Sequence, residues 1–190
     1  MTTDKRLIVA AANLLDAGGE EAVTLRAVGH AAGVSHNAPY KHFANRSALL
    51  AAVATVSFSD LAEAMAAIRG SPRTPLEKLT AILDLFIDYS REHPARYRLL
   101  FNNPETAAAG GELKIKALET FDHFRSIVQE CQQAGGLPDA PSETLASLIF
   151  ATAHGLLAIE SNGQLHPEKG LSSVKASMEI LLALLTPAKM

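Results

Sequence analysis

Thr24-Leu25-Arg26-Ala27-Val28-Gly29-His30-Ala31-Ala32-Gly33, continued by Val34-Ser35-His36-Asn37-Ala38-Pro39-Tyr40-Lys41-His42-Phe43, is the stretch that decides the fold. Thr24 is a good N-cap, because its hydroxyl can accept one of the unpaired amides that open a helix. Gly33 ends that first short segment in a turn. Ser35 is the next N-cap, and the helix it opens is expected to end near Phe43. Two short helices joined by a glycine-containing turn are the plan of a helix-turn-helix, whose second helix enters the major groove of DNA.

Charge supports the same reading. Between Ala22 and Ser59 there is no Asp or Glu, whereas Arg26, Lys41, Arg46, His30, His36 and His42 all fall there. The chain as a whole carries a formal net charge of −3. A phosphate polymer is therefore repelled by the bulk of the protein and accepted at this segment. An alanine-rich segment can also be poor in charge for no functional reason. The coincidence of the charge gap with helix-turn-helix spacing favours nucleic acid.

Working outward, alanine and leucine dominate a composition that is 48% hydrophobic and only 5% aromatic, so helix formers outweigh strand formers. No alternating strand pattern stands out, and an all-α protein of about nine helices is expected. One cysteine, Cys131, cannot form an internal disulfide, which fits a reducing cytosol. The amino-terminal residues lead into an amphipathic helix rather than a signal peptide's apolar core. No uncharged apolar run reaches the roughly 20 residues needed to span a bilayer. The expectation is a cytoplasmic protein with no membrane partner.

The first helix should cover about Thr3 to Ala17, with Leu7, Ile8, Ala11, Leu14 and Leu15 on one face and Gly18-Gly19 as its stop. Asn45 caps a fourth helix running to about Arg69. Gly70-Ser71-Pro72-Arg73-Thr74-Pro75 is the chief breaker. Residues 1–50 thus read as a DNA-binding domain, with the fourth helix as connector to about 70, and residues 71–190 as a second helical domain. Later helices are expected over about Leu76–Glu92, Pro94 to near Asn102, Gly111–Ala134, Ser142–Ser161 and Pro167–Leu185, the last including Leu171.

Base-edge contacts come from the start of a recognition helix, where His36 and Asn37 lie. Asn can pair with adenine in bidentate fashion, and histidine can reach guanine acceptors. Lys41 can touch a base or a phosphate. Tyr40, His42, Thr24 and Arg46 are placed for phosphates, the last two at helix starts. Ser35 and Pro39 belong to the same group; Pro39 sits where a missing amide costs little and stiffens the helix start. Taken singly each is an ordinary surface residue; the clustering carries the assignment. Leu25, Val28, Ala32, Val34 and Phe43 suit the core beneath, and His30 reads as exposed surface.

This set resembles the TetR family of bacterial transcription regulators over about Lys5 to Val53. Gly19, Thr24, Leu25, Ala32-Gly33-Val34-Ser35, Tyr40, His42-Phe43 and Leu49-Leu50 stand where that family's pattern has them. Many members have Gly-Thr-Leu where this chain has Asn37-Ala38-Pro39, which bears on the bases read. Many have lysine at Arg46, a change that keeps the charge and is expected to matter little. Further along, His93-Pro94-Ala95-Arg96-Tyr97-Arg98-Leu99-Leu100-Phe101 and Thr152-Ala153-His154-Gly155 resemble the branch with a C-terminal Trp-His-Gly signature, here without the tryptophan.

The resemblance implies a C-terminal region that forms a homodimer and a small-molecule pocket, and a function as a repressor released from palindromic or near-palindromic operator DNA by an effector. Pocket candidates are Phe86, Tyr89, Phe101, Phe121, Phe124 and His154, each of which also suits plain core packing. The last two helices carry apolar residues all round, so each should be buried on more than one side. Leu148, Gly155, Ile159, Val174, Met178 and Leu181 are the expected dimer contacts, against the alternative of a buried monomeric core. Asp122-His123 is a poor metal pair, because adjacent helical residues point apart. No metal, cofactor or catalytic residue is expected. A small helical-bundle enzyme or a ligand-binding protein without DNA function is the competing reading, and no phosphate loop, metal-spaced cluster or nucleophilic triad supports it.

Overall fold

Side-chain caps set many of the helix starts. Thr24 Oγ1 accepts from the Ala27 amide at 3.1 Å, and Asn45 Oδ1 from Ala48 at 2.8 Å, as read from the sequence. Thr74 and Glu77 cap one another: both the amide and the hydroxyl of Thr74 donate to Glu77 Oε2 at 2.8 Å. The computed structural model describes residues 1–170 and 173–187; Leu171 lies outside the described residues. These contain α1 (Thr3–Ala22), α2 (Leu25–Ala31), α3 (Ala38–His42), α4 (Arg46–Arg69), α5 (Pro75–Glu92), α6 (Pro94–Phe101), α7 (Pro104–Ala108), α8 (Gly111–Gln133), α9 (Ser142–Ser161), a 3-10 turn (Pro167–Lys169) and α10 (Val174–Leu185). The fold is all-α, and no strand occurs among the described residues.

Outside the second short helix, three boundaries differ from expectation. Gly18-Gly19 kinks α1 rather than ending it: Gly19 adopts φ 69°, ψ −171°, a conformation open to glycine, and a last turn follows to Ala22. Asn102-Asn103-Pro104 is a stop that also starts α7, because Asn103 Oδ1 accepts from Glu105 and Thr106 while Pro104 needs no amide partner. The final helix starts at Val174, capped by Ser173, and not at Pro167.

The chain forms two compact units. The first comprises Met1–Leu61 and Glu92–Leu118, the second Ala62–Arg91 and Glu119–Met190. Within the first unit, polar ties hold residues 93–105 to α1 and α4. Asp16 holds Arg96 at 2.6 Å and His93 at 3.2 Å; Asn103 donates to Glu20 at 2.8 Å; Ser47 donates to Glu105 at 2.7 Å. Beneath them Leu7, Leu15, Val28, Leu49, Val53, Tyr97 and Leu99 are buried together in the first unit.

The second unit is built around Leu79, Ile82, Phe86, Phe124, Ile127, Ile149 and Val174. Ion pairs Arg69–Glu130 at 2.5 Å, Arg91–Glu160 at 2.8 Å and Lys175–Asp84 at 2.9 Å cross its surface. By length and composition α4 and α9 are apolar enough to cross a bilayer. Each places part of its apolar surface in protein cores, α4 through Leu49, Val53 and Met65 and α9 through Leu145, Ile149 and Leu157.

Candidate nucleic-acid interface

α2 and α3 form the expected helix-turn-helix, with a shorter second helix. Ser35 does not cap it. Instead the Ser35 carbonyl accepts from the Ala38 amide at 2.9 Å, so Ser35–Ala38 is a turn and α3 begins at Ala38. His36 and Asn37 therefore stand on that turn, at the leading tip, and both are exposed. Tyr40 is 55% exposed although large and aromatic. Its ring meets His36 edge-on, with centroids 6.1 Å apart. Lys41, His42, Ser35 and Thr24 are also exposed, so the structure brings these seven predicted residues to the surface of one small module.

Pro39 is a correction. It is buried, so its part is to position the helix rather than to present a surface. A Cβ built on Gly29 would lie 2.9 Å from Pro39 Cγ, so the two residues form the close contact between α2 and α3. Proline and glycine together set the spacing of the two helices.

Arg46 has partners within the chain itself. Its guanidinium reaches back to the end of α1, where Nη2 donates to the Glu20 carbonyl at 2.5 Å and Nε to the Val23 carbonyl at 2.9 Å. The Glu20 carboxylate lies 3.6 Å away. Carbonyls at a helix end can take further donors, and a planar fork holds two of them in a fixed geometry. In this chain the arginine therefore acts as a clamp on the end of α1. Arg6, which was not singled out, does the same at the other end, donating to the Ala32 carbonyl at 2.6 Å beside the turn at Gly33. Gly33 has φ 62°, which explains the glycine there.

The pocket candidates separate into two groups. Phe86, Phe121, Phe124 and His154 lie in one aromatic cluster, to which the structure adds Phe150. Phe150 meets His154 in a tilted contact with ring centroids 3.9 Å apart, and meets Phe121 edge-on at 5.4 Å. Burial lowers the His154 pKa to about 4, so the ring is neutral at pH 7. Tyr89 is half-buried in the same unit. Phe101 does not belong with them: it packs in the first unit on Tyr97 at 4.9 Å and Phe58 at 5.6 Å.

Of the expected dimer contacts, Val174 and Met178 are corrected. They are 0% and 2% exposed within the chain itself and form its own core. Leu148 is 61% exposed, Gly155 is exposed, and Ile159 and Leu181 are half-buried. Ile180 and Leu184, which were not among the candidates, are 61% and 79% exposed on α10. Asp122 and His123 serve different partners, Arg125 and Arg69.

Residues 7–53 match the family model described as bacterial regulatory proteins, tetR family, and residues 79–185 that described as tetracyclin repressor-like, C-terminal domain. Among solved structures, a protein with unknown function from Rhodococcus sp. RHA1 has a TM-score of 0.83 at 25% identity, covering 98% of this chain and 97% of that one. The transcriptional regulator FadR from Bacillus subtilis, in complex with stearoyl-CoA, gives 0.67 at 20% identity, with 98% and 99% covered. SmeT, the repressor of the Stenotrophomonas maltophilia multidrug efflux pump SmeDEF, gives 0.64 at 22%, with 97% and 89% covered. The last two likenesses show a shared fold. A comparison with curated proteins finds no match. The two family matches bracket the helix-turn-helix and most of the chain beyond α4, and the chain belongs to the tetR family of bacterial regulatory proteins.

Proposed function

We propose that this protein is a transcriptional repressor that binds operator DNA as a homodimer and is released when a small molecule occupies its C-terminal region. The observation that carries the reading is the exposed tip His36–Asn37–Tyr40–Lys41, which stands in an acid-free segment and is held from behind by Pro39 and Arg6. Asn37 and His36 read base edges, Lys41 a base or phosphate, and Tyr40, His42, Thr24 and Ser35 the backbone. The DNA-reading role falls to residues 1–50, with α4 as connector to about 70; the effector and dimer roles fall to residues 71–190.

In the dimer the exposed stripe Leu148–Gly155–Ile159 on α9 meets its symmetry mate, with Leu181, Ile180 and Leu184 of α10. A two-fold axis makes that patch self-complementary and pairs two recognition tips with a palindromic site, about 34–36 Å apart. The effector contacts the partly exposed members of the aromatic set, Phe121, Phe150, His154 and Tyr89, with Phe86 and Phe124 behind them. A cluster of apolar rings with one neutral imidazole suits a mainly apolar ligand with one polar group. Chemistry by Cys131 is disfavoured, because burial pushes its thiol up to about 12. The protein acts in the cytoplasm, where its DNA target lies.

Selection of bound fragments from random duplexes tests the reading directly. The expected product is a near-palindromic site; purified protein that ignores duplex DNA at low salt would end it. Candidate effectors are then titrated with and without that operator. Linkage requires operator to weaken effector binding by the same factor that effector weakens operator binding, commonly about 5–150-fold.

A further inference from the structure

Two of the arginines around the DNA-reading tip are tied to backbone carbonyls of the protein itself. Arg6 serves the Ala32 carbonyl, and Arg46 the carbonyls of Glu20 and Val23. The exposed permanent cations of residues 2–46 are then Lys5, Arg26 and Lys41. His30, His36 and His42 are exposed in the same stretch. Half of the exposed basic side chains on this module are imidazoles.

Histidine is the side chain whose charge changes between pH 5 and 8. A phosphate brought close favours the charged form. We propose that operator binding by this protein takes up protons, with His36 as the principal acceptor, so that the grip on DNA tightens as the medium becomes more acid. The inference rests on the operator-binding reading above. Its sign follows from linkage: if the complex holds more protons than the free partners, lowering the pH favours the complex.

The elements packed on α3 are α1 and α2. At this end they offer Asp4, Lys5 and Arg6 from α1 and Arg26 and His30 from α2, of which Asp4 alone is acidic. Asp4 feels the charge of His42. Its carboxyl is held below the ordinary range first by the Thr2 hydroxyl, then by the Lys5 amide, with a smaller contribution from the charge of His42. His42 thus already has an anionic neighbour before DNA arrives, and phosphate changes its surroundings less. His36 packs on the Tyr40 ring, in a stretch with no carboxylate from residue 22 to 59. DNA therefore alters the charge around His36 most.

The test is fluorescence anisotropy of the full chain on its selected operator at pH 7.5 and pH 6.0, at equal ionic strength. Binding is expected to tighten several-fold at the lower pH, most of it through His36. His36→Gln, which keeps a polar tip without the titration, is expected to remove most of that ratio, and His42→Gln less. Calorimetry in two buffers of different ionisation enthalpy should register net proton uptake on binding. Equal affinity at both pH values, zero proton uptake, or a His36→Gln variant with the full wild-type ratio would each overturn the proposal and leave operator binding intact. Absence of duplex binding at both pH values would overturn the proposal and the regulator reading together.

Discussion

Arg46→Ala separates a structural clamp from a phosphate contact. The substitution strips two charge-assisted hydrogen bonds, to the Glu20 carbonyl at 2.5 Å and the Val23 carbonyl at 2.9 Å. Bonds to charged groups contribute about 1.5–3 kcal/mol each when shielded. The side chain is 38% exposed, so water replaces part of that. The Glu20 ion pair at 3.6 Å adds a few tenths at most, as solvated pairs do. A loss of about 2 kcal/mol of unfolding free energy follows, and a smaller one for Arg46→Lys, whose ammonium keeps the charge without the planar fork. Urea unfolding followed by far-ultraviolet circular dichroism gives the stability, and the salt dependence of operator affinity gives the charge role. A clamp lowers stability and leaves the slope of log K against log salt almost unchanged. Unaltered stability with a slope reduced by about 0.9, one phosphate's worth, would refute the assignment.

Three further outcomes are expected. Gly29→Val drives a side chain into the Pro39 ring, since a Cβ alone would sit 2.9 Å from Pro39 Cγ; unfolding free energy should fall by about 2 kcal/mol, and operator affinity more than affinity for random duplex. Gly155→Trp has open space around its Cβ within the protomer, so thermal stability of the isolated chain should hold while sedimentation shows a dimer weakened at least about tenfold; an undisturbed dimer would exclude that α9 face. Burial drops His154 from 6.5 to about 4, so the unfolded chain binds the extra proton between those values. Its stability contribution is complete above pH 6.5 and is lost as pH falls to about 4, a change of up to about 3 kcal/mol. The difference in stability between the native chain and His154→Leu, plotted against pH, should show that loss.

Local signals carried the helix-turn-helix. Thr24 and Asn45 cap where their side chains predict, and Pro94 opens α6 as its missing amide allows. Signals that depend on distant partners did not show. Arg46 finds carbonyls 23 and 26 positions back, a pairing invisible to any periodic pattern. Asn103-Pro104 reads as a stop, and only the free amides of Glu105 and Thr106 turn it into a cap. α10 is apolar nearly all round, so spacing alone could not say that Val174 and Met178 face inward while Ile180 and Leu184 face out. Phe101 carries the same chemistry as Phe124, and topology alone assigns it to a different cluster.

The ties from Asp16, Glu20 and Ser47 to residues 93–105 mean that the DNA-reading head is not a portable cassette. A fragment ending at residue 70 would lay bare the apolar floor under Tyr97 and Leu99 and strand two carboxylates of α1 without their cations and amide. Chimeric regulators that graft this operator specificity onto another sensor should therefore carry residues 92–118 along with the head, as a two-piece transplant rather than a single N-terminal swap.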